Sequence, residues 1–335
     1  MDEFSRQAGR GSPPEPLAVT RLIASGTLDA ELAALLWLLV EGRVPLLVAA
    51  GPQGTGKSTV VHALLAFQLP TERHRVLRGF AEDFDWLPQA RELGWPAKRS
   101  NGHQASANGS KSTVESSAAV GAGPTTEATD TAAHPTPDRS DPASTTLLVH
   151  EFSPDLPAYT WDIQAGVAIR ALQLGFTLAG TLHAESLREV MAMLAAPPVS
   201  LGEDEIRRLG VVLIVRAFGR PPIRRIVAAH YLRPLERDGQ GHLQRRPPAV
   251  LATWDAERDV LDHFSWGLGP ELAPRIGMIQ ADFERAQAVR ARLLTDLVAA
   301  GTFDPEQVRT AIDDFRQSHA ATPTAADQTR SQALH

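Results

Sequence analysis

The chain has 335 residues, with 33 Lys and Arg against 39 Asp and Glu, a formal net charge of −6 and no cysteine. That length gives one or two domains and enough apolar material for a sizeable core. The absent cysteine excludes disulfides, thiolate zinc sites and cysteine nucleophiles, and a mildly acidic balance without a basic block argues against nucleic acid as a direct partner.

Residues 1–16 read as a disordered leader, unlike a secretory signal, and the longest apolar stretches, 32–40 and 45–50, are too short to span a bilayer. A soluble, cytoplasmic protein is expected. From 17 to 41 apolar residues recur at helical spacing through Leu22, Ile23, Leu32, Leu35, Leu36 and Leu39, and Thr27 and Asp29 offer N-cap chemistry for the second helix. The run 44–50 is short and continuously apolar, as in a buried parallel strand. A glycine-rich loop follows, then an amphipathic helix over 59–69 stopped by Pro70. A short strand is expected at 75–77, and the acidic, aromatic stretch 82–92 is expected to be partly helical.

Residues 98–146 are mostly Ser, Thr, Ala, Gly and Pro with scattered charges and no aromatic residue. Such a segment buries too little apolar surface to offset its ordering entropy, and it reads as a disordered insertion. The core resumes with a strand at 146–149, a helix at 159–174, a strand at 176–182 and a helix at 186–195. Strands at 210–216 and 224–232 follow, joined by a turn at 219–222. After Pro247 the pattern becomes helical, over 261–268, 270–276, 279–300 and 304–318, with Leu293, Leu294 and Leu297 on one face. Strands alternating with helices predict an α/β fold with a mainly parallel sheet. The expected division is a leader (1–16), a core (17–250) carrying the insertion, a helical region (251–319) and a polar tail (320–335).

Only three basic residues are lysine, and two of them, Lys98 and Lys111, fall in the insertion. The third, Lys57, lies in the sequence Gly51, Pro52, Gln53, Gly54, Thr55, Gly56, Lys57, Ser58, with Thr59 next. A chain that otherwise chooses arginine keeps here the compact ammonium that a phosphate loop needs. The pattern G-x-x-x-x-G-K-[ST] arises by chance in a chain of this size about once in a hundred. With a strand before it and a helix after it, the loop aims backbone N–H groups and a helix N-terminus at phosphates. Lys57 would bridge the β- and γ-phosphates and the Ser58 hydroxyl would ligate Mg²⁺.

Hydrolysis needs a carboxylate at a neighbouring strand end. Glu151 closes the apolar run 147–151, although a solvated Glu after any strand would read alike. His183 follows another apolar strand and either contacts the γ-phosphate or is a satisfied structural histidine. Glu82, some 25 residues past the loop, either positions the attacking water or belongs to a solvated acidic turn.

With these stations in order, the chain resembles the secretion-type ATPases that power type II and type IV secretion, type IV pili and archaeal flagella. The phosphate loop is GPQGTGKS at 51–58, the acidic "Asp box" AEDFD at 81–85, the second acidic motif LLVHE at 147–151 and the "His box" GTLHAES at 180–186. The lead-in at 22–29, the strand pair at 210–232 and the helices at 279–318 are similar too. The resemblance implies a RecA-like P-loop NTPase core with a C-terminal helical segment, binding ATP and Mg²⁺. It implies a homo-oligomer, usually a hexameric ring, or a paralogous ATPase subunit as partner, docked on an inner-membrane platform protein. Phosphate binding falls on residues 51–59 and catalysis on Glu151 and Glu82, while His183 becomes the His-box histidine.

The chain departs from the family at four places. His150 stands where the family has Gly, Gly175 and Phe176 replace a Gly-His step, and no arginine-rich stretch precedes the second acidic motif. About 50 residues precede the loop, too few for the family's N-terminal domain, so a minimal motor core or a partner supplying that domain is expected. The competing expectation is a nucleotide-binding regulatory subunit with little hydrolysis of its own. A small-molecule kinase lacks a second-substrate motif.

Overall fold

A computed structural model of the protein describes residues 17–51, 54–96 and 140–320. The leader, the loop residues Pro52 and Gln53, most of the expected insertion and the tail lie outside the described residues.

The two helices expected before the loop are α1 (Val19–Ala24) and α2 (Ala30–Glu41). Asp29 has extended backbone and accepts the Leu32 N–H on Oδ1 at 2.8 Å, which starts α2 with a side-chain cap. Residues 32–40 of α2 are all buried, so other elements cover this helix on every side.

Five parallel strands carry the fold: β1 (Leu46–Ala50), β2 (Arg73–Val76), β3 (Thr145–Phe152), β4 (Thr177–His183) and β5 (Val211–Phe218), in the order β5-β1-β4-β3-β2. Beyond β5 the sheet continues antiparallel through β6 (Ile223–Tyr231), β9 (Ala249–Asp255) and β10 (Val260–His263) to make eight strands. A separate ribbon pairs β7 (Glu236–Arg237) with β8 (Leu243–Gln244). The described chain is thus a mixed α/β fold whose sheet is mostly parallel.

Side chains of β1 alternate between two cores, as the strand period of two dictates. Leu46, Val48 and Ala50 pack with α1, α2, α3 (Lys57–Leu65) and the C-terminal helices α7 (Gly269–Arg275), α8 (Gln280–Ala299) and α9 (Pro305–Ala320). Leu47 and Ala49 face α4 (Asp162–Arg170), α5 (Leu187–Ala195) and α6 (Glu203–Arg207). A sheet covered on both faces explains why β1 reads as continuously apolar.

Several expectations need correction. The chain is not helical throughout from 251: β9 and β10 extend the sheet to His263, and the helix expected at 261–268 is a strand end and one 3-10 turn. Burial alternates at the start of β9, with Ala249 and Leu251 inside and Val250 exposed, a period-2 pattern too short to stand out beside Pro247 and Pro248. The expected insertion ends early, because Pro142–Ser144 form a 3-10 turn capped by Asp141 and β3 starts at Thr145. Arg43 holds this corner, donating to the carbonyls of Pro142 at 2.7 Å and Gly175 at 3.0 Å. Residues 82–92 form turns, not helix, since Glu82 ties local N–H groups to its own carboxylate.

Candidate functional site

The strand order reverses beside β1, which has β4 on one side and β5 on the other. Open α/β sheets bind ligands at such a switch point, outside the carboxyl ends of the strands. Here those ends align: Ala50 sits opposite His183, and Leu182 opposite Phe152. The residues just past β1 and the last residues of β3 and β4 therefore share one edge.

The chain turns from β1 into α3 through glycines. Gly56 caps α3 in the left-handed region at φ +96°, a conformation that strains any side chain. Lys57 is the first residue of the helix and Ser58 and Thr59 complete its opening turn. Ser58 is exposed and Thr59 half-buried, while Thr55 and Lys57 are buried.

Lys57 and Glu151 meet across the site. Nζ lies 2.9 Å from Oε1, with side chains only 7% and 11% exposed. Two ions this far out of water persist because each neutralises the other. They line a cavity of about 720 Å³ together with Gly54, Thr55, Gly56, Ser58 and Thr59. Residues of α1 and the turn after it, Arg21 among them, also line it, with Tyr159 and with Pro222, Ile223 and Arg224 at the start of β6. Burial, then the Glu151 and Asp155 carboxylates, push the Tyr159 hydroxyl above its ordinary value, so it remains protonated.

A larger cavity, about 850 Å³, opens at the other end of the strands, beside Pro45, Phe176 and Gly210. Its buried Arg207 is already held by Glu203 and by the carbonyls of Arg233 and Arg246. The smaller cavity has the chemistry.

Of the residues singled out in the sequence, the structure brings the described part of the loop and Glu151 together. Glu82 and His183 do not line the cavity. Glu82 is 3% exposed and accepts the N–H groups of Arg78 at 3.0 Å and Phe84 at 3.1 Å and the Trp86 indole N–H at 3.0 Å. That carboxylate holds its own turn. His183, half-buried, ends β4 beside β1. His150 is kept below its usual value by burial and then by His62, so it is neutral at neutral pH.

Sequence reading missed Tyr159 and Arg224. Tyr159 stands eight residues past Glu151 with no motif around it; its placement follows from the Thr160 N–H, which donates to the Glu151 carbonyl at 2.9 Å. Arg224 reaches the Gly54 carbonyl across 170 positions of sequence, and nothing local marks it among the other arginines.

Among the described residues no three His, Asp or Glu side chains gather to hold a metal, and no helix is long and apolar enough to cross a membrane. A Mg²⁺ at Ser58 would thus draw most of its ligands from phosphate oxygens and water, as Mg²⁺ at phosphate sites does.

No family model matches the chain. Over 307 residues it is 24% identical to Uncharacterized protein MJ0900 of Methanocaldococcus jannaschii, covering 90% of this chain and 49% of that protein. The chain thus spans about half the length of the curated relative it matches. Among solved structures it is similar to the X-ray structure of the Legionella pneumophila ATPase DotB, at 11% identity and a TM-score of 0.25, over 82% of this chain and 63% of that one.

Proposed function

We propose that this chain is a P-loop ATPase of the secretion-motor kind, binding ATP with Mg²⁺ over residues 51–59 and hydrolysing it to drive a pilus, secretion or conjugation machine. The observation that carries the reading is the Lys57–Glu151 pair: the one lysine of the described residues, at a helix N-terminus, 2.9 Å from a strand-end carboxylate inside a cavity. The order of the sequence motifs supports the secretion-type assignment. A ring of copies or a paralogous subunit, and an inner-membrane platform protein as the mechanical partner, belong to this proposal.

The mechanism follows from the charges. Loop N–H groups and the Lys57 ammonium bind the polyphosphate, which competes with Glu151 for the same cation. Glu151, released, accepts a hydrogen bond from the attacking water and orients it, as a general base must. The Ser58 hydroxyl would hold Mg²⁺, which would supply neutralisation of phosphate charge. The protonated Tyr159 hydroxyl has a proton to donate within the same cavity.

A second reading, a regulatory subunit that binds nucleotide with little turnover, is favoured by one observation: Glu82, the other expected carboxylate, is spent on its own turn.

The test is steady-state ATP hydrolysis with Mg²⁺ over a range of protein concentrations, beside Glu151→Gln. Turnover should rise with concentration and fall about 100-fold or more in the variant. Equal hydrolysis by the variant would remove Glu151 from the mechanism, and tight binding without turnover at any concentration would favour the regulatory subunit.

A further inference from the structure

Arg224 lies over the glycine loop rather than beside it. Its Nη2 donates to the Gly54 carbonyl oxygen at 3.1 Å. Its stem covers the next glycine: a Cβ built on Gly56 would lie 2.9 Å from Arg224 Cδ and 3.2 Å from Nε. A side chain at 56 would therefore be strained by its φ and would also push Arg224 out of this position.

The neighbouring arginine makes the contrast. Arg225 is 8% exposed and fully engaged, donating to Asp259 at 2.7 and 2.8 Å and to the carbonyls of Ser25 and Arg224 at 2.9 Å each. The Ile226 N–H adds a bond to the Thr27 carbonyl at 2.8 Å. Those contacts clamp the start of β6 to the α1–α2 turn, and they hold Arg224 by its own carbonyl. Arg224 is thus presented from a rigid base.

Its charge, unlike that of Arg225, meets no carboxylate among the described residues; one backbone carbonyl is its hydrogen-bond partner. A guanidinium has five donors in a planar fork suited to phosphate oxygens. Within the cavity the Lys57 charge is already balanced by Glu151, while among the described residues the Arg224 charge has no counter-ion and is left for an incoming anion to balance.

We infer that Arg224 is a binding residue of the nucleotide site, a phosphate-contacting arginine that this chain supplies to its own loop. The inference rests on the phosphate-loop reading above. It gives the glycine loop a cation besides Lys57, in a cavity that Arg21 also lines, and places the start of β6 in contact with bound polyphosphate.

The experiment is calorimetric titration of the full chain with ATP and with inorganic pyrophosphate, for the wild type, Arg224→Gln, Arg224→Lys and Lys57→Ala. Gln keeps a neutral donor for the Gly54 carbonyl but loses the charge, so a residue that merely props the loop would be unaffected. Arg224→Gln should weaken both ligands about tenfold, the size of one charge-assisted contact, and Arg224→Lys should fall between Gln and wild type. Binding within about twofold of wild type in Arg224→Gln, with Lys57→Ala still defective, would overturn the role of Arg224 and leave the phosphate loop standing. A loss for ATP without one for pyrophosphate would also overturn it, placing Arg224 against the nucleoside. Failure of the wild type to bind either ligand would sink the inference together with the loop reading.

Discussion

Glu151 and Lys57 stabilise each other only as a pair. Each side chain is about nine-tenths out of solvent, so removing one leaves the other ionised in a low-dielectric setting. Lys57→Ala in the nucleotide-free protein is expected to cost about 3–5 kcal/mol, and Lys57→Met combined with Glu151→Gln to recover most of it. Urea unfolding of the two variants checks this; equal loss in both would mean that the pair contributes no coupling. Glu82 carries a different expectation. It satisfies three N–H donors, and a Gln there presents only one acceptor oxygen. Glu82→Gln should lower stability by about 1–3 kcal/mol while leaving turnover per folded molecule unchanged; a selective loss of turnover would return Glu82 to the catalytic set. His263 gives a pH dependence. Burial pulls its pKa down, but the 2.7 Å bond from Nε2 to Asp29, with the Glu31 and Asp262 charges, outweighs burial and raises it above 6.5. A raised folded value means stability that is fully present below the unfolded value and lost as pH rises through the folded one. His263→Asn should therefore cost more stability at about pH 5.5 than at about pH 8.5, as thermal melts at the two values would show; an equal cost would mean that the charged form gains nothing from Asp29.

At the scale of elements, α2 is the axis of one core. Trp37 stacks on Phe67 with ring centroids 5.0 Å apart and meets the edge of Phe315 at 5.4 Å, and all three belong to one buried cluster. Trp37→Ala would open a cavity on the face of the sheet that carries Leu46, Val48 and Ala50 and is expected to cost about 3–5 kcal/mol, read from chemical denaturation. Much of this half was legible in the sequence. The apolar period at Leu32, Leu35, Leu36 and Leu39, the cap at Asp29 and the unbroken run before Gly51 are local signals, and each formed the element it pointed to. The rest depended on distance. Whether Glu82 turns toward a ligand or toward its own backbone is decided by two N–H groups and an indole within four residues, and the acidic pattern reads the same either way. Arg224 comes to Gly54 only because β6 pairs with β5, which in turn lies beside β1, a register that no local pattern states. The strands β9 and β10 escaped for another reason: β10 has only four residues, and β9 alternates in burial only at its start before its side chains become mixed, so periodicity has little pattern to act on.

At the scale of the whole molecule, the C-terminal helices are built into the core rather than appended to it. Phe283 and Leu294 of α8 and Val308, Ile312 and Phe315 of α9 share the cluster that holds Leu46, Val48 and Ala50 of β1. Glu41, the last residue of α2, pairs with Arg290 of α8 and Arg316 of α9, each at 2.9 Å, and both guanidinium groups lie over the Trp37 ring. Arg316 also donates to the Phe67 carbonyl at 2.6 Å. Phe67 stands just past the helix that Lys57 opens, so α9 is joined through one short helix to the phosphate loop. Ending the chain at Gly277 would strip these contacts and expose apolar surface worth roughly 25 cal/mol per Å², while leaving Glu41 without its cations. The truncated protein is expected to lose its cooperative thermal transition and its ATP binding together. Glu41→Ala, which keeps the helices but cuts both ion pairs, should lower the transition temperature by only a few degrees, about what 1 kcal/mol does in a chain of this size. A truncated chain that still melted cooperatively and bound ATP would make α8 and α9 a separable unit. Their position would then say nothing about how a change at the loop is felt elsewhere. Loss of both properties would mean that α8 and α9 are part of the core on which α3 and the loop ahead of it are held.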